Sequence, residues 1–457
     1  MATDVRMPPA HFDPASFETF RFVSHRLDAT GRVELVYALE DKLEFVESIQ
    51  LPVRSGVTDG NIRRASGLLA LLHWVAGVSY FKTAVPRSVR FECGRPSSAT
   101  ARLLETLYSE GLGEFAYRNQ LPLPHPSFAT ESVATRRPRA GLPESRGIQK
   151  VLVPVGGGKD SAVAIEIVRH AELEFELFSV GNAVPIERTA SVAAAPRLIA
   201  TRHLDSRLGA LNGIGALNGH IPVTAIVSCI ALLTAALNGF DAVAMANERS
   251  ASRGNLEWDG VMVNHQFSKS LRVERMLSTV VAQTAPDLQI FSVLRPASEL
   301  SIARAFARMT GYHHAFTSCN TVFRLDPALR GKSWCCDCPK CRFVFLALAP
   351  FMDPTYLRGV FGTDLLDDER QFDGFALLTA TGGHKPFECV GEEEESLAAM
   401  RLLAADPRWR DHAVVHRFAA ESLPAQALEG GPEALALSDD HDVPSVLLPA
   451  VREILGA

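Results

Sequence analysis

Gly156-Gly157-Gly158-Lys159-Asp160-Ser161 separates a short apolar run, Val151 to Val155, from a stretch with the apolar spacing of a helix, Asp160 to Arg169. A buried strand that feeds a helix through residues lacking Cβ lets the backbone approach an anion closely. The unpaired N–H groups of the first helical turn, at the positive end of the helix dipole, then face phosphate oxygens. The loop is too short for G-x-x-x-x-G-K-[ST], and Asp160 and Ser161 occupy the wrong places for G-x-G-x-x-G. An ordinary strand-to-helix turn is the plain alternative.

Eight cysteines are spread unevenly: Cys93, Cys229 and Cys389 stand apart, whereas Cys335, Cys336, Cys338 and Cys341 crowd together with Cys319 upstream. Cys335, Cys338 and Cys341 form C-x-x-C-P-x-C, and with Cys319 they offer four thiolates, a set that suits a closed, structural Zn²⁺ site. Cys336 can substitute for Cys335, and buried reduced thiols are the alternative to metal. Two further clusters, Asn247 to Asn255 and Asn264 to Ser270, carry charged and amide side chains. In them Asn247, Glu248 and Arg249 are nucleotide-site candidates, and Arg249 or Lys269 can neutralise a phosphate or carboxylate. Part of the proton transfer is placed in Gly383-His384-Lys-Pro-Phe-Glu-Cys389, with Cys389 as a buried small residue and His384 as a loop cap the plain alternative. Histidine titrates near neutrality, and cysteine serves as acid or base when a neighbouring cation lowers its pKa. His265 and Lys269 are the rival candidates.

These residues need elements to hold them. Phe20 to Leu51 alternates apolar and polar residues, which predicts a small antiparallel sheet, followed by helices over Leu68–Phe81 and Ala99–Leu112. His73 and Trp74 read as core and rim. From Ile148 strands are predicted at Val151–Val155, Phe175–Val180, Thr201–Leu204, Ala242–Ala246 and Leu288–Val293. Helices are predicted at Ser161–His170, Val223–Leu237, Phe267–Gln283 and Glu299–Thr310. Such βα alternation predicts an α/β fold with a doubly wound parallel sheet, whose ligands bind at the carboxyl ends of the strands. The expected division is an α+β N-terminal domain over 1–146, ending in a Pro/Ser/Thr/Arg-rich link from Leu121 to Arg146. A nucleotide-binding domain with the zinc knuckle follows over 147–365, and a C-terminal segment over 366–457 closes over the site. The acidic run Glu392 to Glu395 reads as a helix start, since carboxylates suit that end of the dipole.

The chain has 457 residues, 47% hydrophobic and 21% charged, with a net charge of −6, which places it among soluble globular enzymes. The negative balance argues against nucleic acid and anionic membrane as partners. Ile221 to Phe240 approaches the length of a membrane span, but its polar residues and missing basic flanks favour a helix buried against the sheet. The N-terminus lacks the apolar core of a signal peptide, so a cytoplasmic location is expected. The oligomeric state stays open.

The glycine loop resembles the S-G-G-x-D-S loop of PP-loop ATP pyrophosphatases, with Gly156 where that family has serine. The cysteine set resembles the zinc knuckle of 7-cyano-7-deazaguanine synthases, themselves PP-loop enzymes. Taken with Asn247 to Asn255, Asn264 to Ser270 and Gly382 to Gly391, most of the chain resembles the MurL-type epimerases. The resemblance implies a PP-loop/HUP-like fold, ATP with Mg²⁺ at Gly156 to Ser161 and Asn247 to Arg249, and structural Zn²⁺ on Cys319, Cys335, Cys338 and Cys341. It also implies a small-molecule substrate, UDP-N-acetylmuramoyl-L-alanyl-L-glutamate of peptidoglycan precursor synthesis, epimerised at its terminal glutamate. The Cα–H of a free glutamate is very weakly acidic, because removing it puts a second negative charge beside the carboxylate. An acyl-adenylate removes that charge, permits deprotonation and reprotonation, and yields AMP and pyrophosphate. A PP-loop enzyme adenylating a tRNA base or another carboxylate, and a nucleotide-binding module without catalysis, remain the alternatives.

Overall fold

The computed structural model describes residues 11–54, 58–128, 147–324, 327–331, 333–382, 385–421 and 434–456. Residues 129–146 of the link and His384 of the proton-transfer segment lie outside the described residues. The alternating N-terminal stretches form β1 (Thr19–Leu27), β2 (Arg32–Leu39) and β3 (Leu43–Gln50), and β4 (Ser88–Phe91) lies parallel to β1. Next come β5 (Lys150–Pro154), β6 (Glu174–Val180), β7 (Arg197–His203) and β8 (Ala242–Met245). A hairpin of β9 (Leu256–Trp258) and β10 (Val261–Val263) precedes β11 (Gln289–Ser292).

All but the hairpin join one nine-stranded sheet in the order β11-β8-β5-β6-β7-β3-β2-β1-β4. Its first five strands are mutually parallel, so the fold is mixed α/β with a large, mostly parallel sheet. The N-terminal strands extend this sheet instead of forming one of their own. β3 runs antiparallel to β7, with Ser48 opposite His203 and Gln50 opposite Thr201. This pairing covers hydrogen-bonding groups that a strand at the sheet edge would expose. At the seam the fully buried Glu47 takes two bonds from Arg202, 2.7 and 3.1 Å, and Arg202 also donates to Ser79 Oγ.

The pleat divides the core in two. Val151, Val153 and Val155 of the β5 segment face one cluster, with the helices Lys159–His170, Glu299–Ala307 and Pro339–Leu348. Leu152 faces the other, with the helices Asp59–Ala76, Val223–Asn238 and Leu271–Thr284. Ala242 and Ala244 against Val243 and Met245 repeat the alternation on β8, as side chains of period two must. Val223–Asn238 is the apolar segment of near-membrane length; it lies buried against the sheet, and no described helix is long and apolar enough to cross a membrane. The helix expected from Phe267 begins at Leu271. Ser270 is extended and caps it by accepting from Val273 N, and Phe267–Lys269 forms a separate 3₁₀ turn.

Candidate active site

β11, β8 and β5 are neighbours, and each delivers site residues from its carboxyl end. After β5 the chain turns through Gly157, whose φ of +83° is the left-handed conformation that glycine adopts without penalty. A Cβ there would lie 2.7 Å from Ile186 N and from the carbonyl carbon of Pro185. Gly157 O accepts from Thr317 N at 3.0 Å. Gly156 faces open space, and a Cβ on Gly158 would meet Ser318 Oγ at 2.7 Å. Gly158 is extended and caps the helix Lys159–His170 without a side chain, which leaves the first-turn N–H groups to the loop. Ser161 Oγ donates to Gly158 O at 2.9 Å.

Lys159 is buried and forms ion pairs with Asp160 and Glu299. Burial works against its charge, but the two carboxylates outweigh that and hold it protonated. Its ammonium therefore sets the acids around the loop and does not reach out from it. After β8, Asn247 N donates to Ser292 Oγ at 2.7 Å, tying that strand's end to β11. Glu248 is buried, and its Oε2 has no hydrogen-bond partner among the described residues. Arg249 donates to Ala436 O at 3.1 Å. The Asn247–Arg249 backbone is fixed by a residue the sequence reading missed, Arg295. This buried guanidinium pairs with Glu274 and donates to Glu248 O and Lys269 O, both at 2.6 Å. The acidic run does start a helix, Glu393–Ala405, and Glu395 is a second missed residue. Its buried carboxylate accepts from Ser250 Oγ, Glu299 N and Glu392 N, which joins the C-terminal helix to the ends of β8 and β11.

Three of the four proton-transfer candidates meet. His265 and Cys389 lie close enough to shift each other's titration in opposite directions, and Lys269 and Lys340 act electrostatically on the thiol. Asn255 keeps the two segments in register: its side chain accepts from His265 N and donates to Pro386 O, each at 2.9 Å. Lys340 Nζ donates to Cys389 O. Burial pushes the Cys389 thiol up, but Lys269, His265 and Lys340 prevail and bring it down to about 6. Burial opposes the charge on His265, but Cys389 and Glu114 raise it to about 9. Near neutral pH the pair is thiolate and imidazolium. Glu114 is the third missed residue, supplied by the short N-terminal helix Gly113–Arg118. It accepts from Arg118 Nε at 2.6 Å and pairs with His265 Nδ1, and His220 Nδ1 stands 3.6 Å away. Such a series, an acid that orients an imidazole beside a thiolate, can take up and return a proton.

Cys319, Cys335, Cys338 and Cys341 converge, with all sulfurs within 4.8 Å of one another. Cys335 and Cys341 are 3.8 Å apart, and Cys338 and Cys341 are 3.5 Å apart. The choice between adjacent cysteines is made by the backbone: Cys336, at φ +58°, turns away and donates to Phe361 O. Cys338 caps the helix Pro339–Leu348, so the cluster fixes the turn from which Lys340 reaches Cys389.

The model of the MurL N-terminal domain family matches residues 11–293, and that of the MurL C-terminal domain family matches 315–431. The chain is similar to a protein of Xanthomonas oryzae pv. oryzae (strain MAFF 311018) named UDP-N-acetyl-alpha-D-muramoyl-L-alanyl-L-glutamate epimerase. The two are 42% identical over 96% of this chain and 98% of that one. Proteins of the same name from Micromonospora sp. (strain ATCC 39149 / NRRL 15099 / SCC 1413) and Salinispora tropica (strain ATCC BAA-916 / DSM 44818 / JCM 13857 / NBRC 105044 / CNB-440) are each 45% identical. They cover 90% and 87% of this chain, and 92% and 87% of their own. No solved structure matches.

Proposed function

We infer the function from one premise, that the chain belongs to the MurL family. It is an isomerase, an epimerase of the terminal L-glutamate of UDP-N-acetylmuramoyl-L-alanyl-L-glutamate. The observation that carries this reading is identity of 42% and 45% to epimerases of that name over most of the chain. The pathway is peptidoglycan precursor synthesis. A cytoplasmic location suits the eight free thiols, which persist in a reducing compartment.

The reaction consumes ATP through a PP-loop/HUP-like site. Support comes from the cradle at Gly157, which a Cβ would fill, and from the helix start behind it. Activation of the glutamate carboxylate as an acyl-adenylate acidifies the adjacent Cα–H, and Mg²⁺ neutralises phosphate charge. Asp160 and the unpartnered oxygen of Glu248 are the acids available to such a cation. A cavity of about 200 Å³ adjoins the loop, with Pro185, Arg188, Phe316, Thr317 and Trp334 in its wall, and it suits the nucleoside. Cys389, as thiolate, removes the Cα proton; His265 exchanges protons with it; Glu114 orients His265; Lys269 and Lys340 hold the negative charge at hand. His384 is retained as a candidate for the opposite face.

The deciding assay incubates the protein with UDP-N-acetylmuramoyl-L-alanyl-L-glutamate, ATP and Mg²⁺, and measures D-glutamate and AMP. Both are expected; a folded protein that binds ATP and forms neither defeats the reading. Glu114→Gln is expected to lower the His265 pKa, because one of the two groups that raise it is lost. The alkaline fall in the rate of Cα–H exchange then moves toward neutrality. An unmoved alkaline limb assigns Glu114 a packing role alone.

The four cysteines fit structural Zn²⁺. Tetrahedral ligation at about 2.3 Å places sulfurs about 3.8 Å apart, close to the spacings observed. Cys341→Ser is expected to lose one equivalent of zinc per chain, measured by elemental analysis, together with thermal stability. A variant with wild-type zinc content would return the cluster to buried thiols.

A further inference from the structure

A second set of soft donors lies in the N-terminal half, far along the sheet from the glycine loop. His25 is on β1, His73 in the last turn of the helix Asp59–Ala76, and Cys93 two residues past β4. β1 and β4 run side by side to the Phe22–Phe91 pair, which brings Cys93 beside β1. The two Nδ1 atoms are 3.1 Å apart, and Cys93 Sγ is 3.4 Å from one and 3.5 Å from the other. His73 is fully buried, and its Nε2 lies 3.0 Å from Val36 O, an acceptor. The ring proton therefore sits on Nε2, and Nδ1 turns a lone pair toward His25 and Cys93. A backbone carbonyl holding the outer N–H of an imidazole is the usual support of a metal-ligating histidine.

We propose that His25, His73 and Cys93 form a binding site for a late transition-metal dication, Zn²⁺ being the probe, which clamps β1 and the end of β4 to the helix Asp59–Ala76. Bonds of about 2.0–2.1 Å to nitrogen and about 2.3 Å to sulfur at tetrahedral angles put donors roughly 3.3 Å (N···N) and 3.5 Å (N···S) apart. The observed triangle matches both. Two imidazoles and a thiolate select zinc or its neighbours over Mg²⁺ and Ca²⁺. His25 and Cys93 are half-exposed, which gives the ion an entry path and leaves a fourth position to water. Binding displaces the thiol proton of Cys93 and any proton shared between the two Nδ1 atoms.

The test loads the full-length, reduced protein with Zn²⁺ after chelation and counts metal in wild type, Cys93→Ser and His25→Ala. Each variant is expected to hold one zinc fewer than wild type, whatever the four-cysteine cluster contributes. With Co²⁺ in place of zinc, one thiolate-to-cobalt charge-transfer component should vanish in Cys93→Ser. X-ray absorption on the zinc-loaded wild type needs no variant: imidazole scattering is expected beside the sulfur shell. A sulfur-only spectrum, or variants that keep the wild-type count, would show a hydrogen-bonded knot and overturn the site.

Discussion

Cys389→Ala is expected to go on forming AMP in the presence of substrate while exchange of the glutamate Cα hydrogen with D₂O falls by about 10²–10⁴-fold, the usual contribution of a positioned acid or base. The two steps separate because the glycine loop and the thiol are delivered by different segments, and Lys269 and Lys340 act electrostatically on both Asp160 and Cys389. The pH dependence carries a sign. Protonation of Cys389 removes the base, so the exchange rate rises with pH through about 6. Loss of the His265 proton removes the positive charge facing the thiolate, so the rate falls through about 9. The limbs belong to the coupled pair and not to either residue alone. Wild-type exchange in Cys389→Ala, or a rate flat between these limits and beyond them, would move the proton transfer to Lys269 or His384.

Gly157→Ala is expected to abolish AMP release. The substitution forces a side chain into the left-handed region, at roughly 1–2 kcal/mol, and sets its Cβ against the backbone of Pro185 and Ile186 at 2.7 Å. Backbone cannot yield as a side chain can, so the loop must shift. A displacement of about 1 Å in a positioning element costs on the order of 10² in rate. Gly158→Ala is the control, because its new Cβ meets only the hydroxyl of Ser318, and it should keep substantial activity. AMP release is measured beside a thermal melt, so that a folded but inactive Gly157→Ala is told from an unfolded one. Equal activity in the two variants would remove the close approach at Gly157 from the mechanism.

The parts of the candidate site that were legible in the sequence are those whose geometry is local. Three glycines followed by an acid and a hydroxyl imply their own backbone geometry, and closely spaced cysteines imply a shared centre. Alternation along β1 to β3 and the apolar run at β5 were legible for the same reason. Glu114, Arg295 and Glu395 were not, because their roles come from tertiary placement. Glu114 belongs to a six-residue helix about 150 residues before His265, and nothing in its neighbourhood marks it. Arg295 has no local mark of its role, which comes from Glu274 and the two carbonyls that surround it. His73 was read as core, which its burial supports; what no local pattern conveyed was that β1 and β4 bring His25 and Cys93 to it. β7 was seen only at its end, since Arg197–His203 is flanked by proline and carries three basic residues. Its place is secured by β3 and the Glu47–Arg202 pair, neither of which lies near it in the chain.

That seam also sets a schedule for synthesis. Ser48 and His203 are paired, yet about 150 residues separate them. At roughly 5–20 residues per second a ribosome needs on the order of 10–30 s to deliver the partner. Through that interval β3 is an unpaired edge carrying Glu47, whose cation has yet to emerge. The charge that later closes the junction keeps the waiting edge hydrated and hinders its pairing with another nascent chain. The carboxylate that joins the two halves of the folded sheet is thus, until β7 emerges, a charge on an open edge.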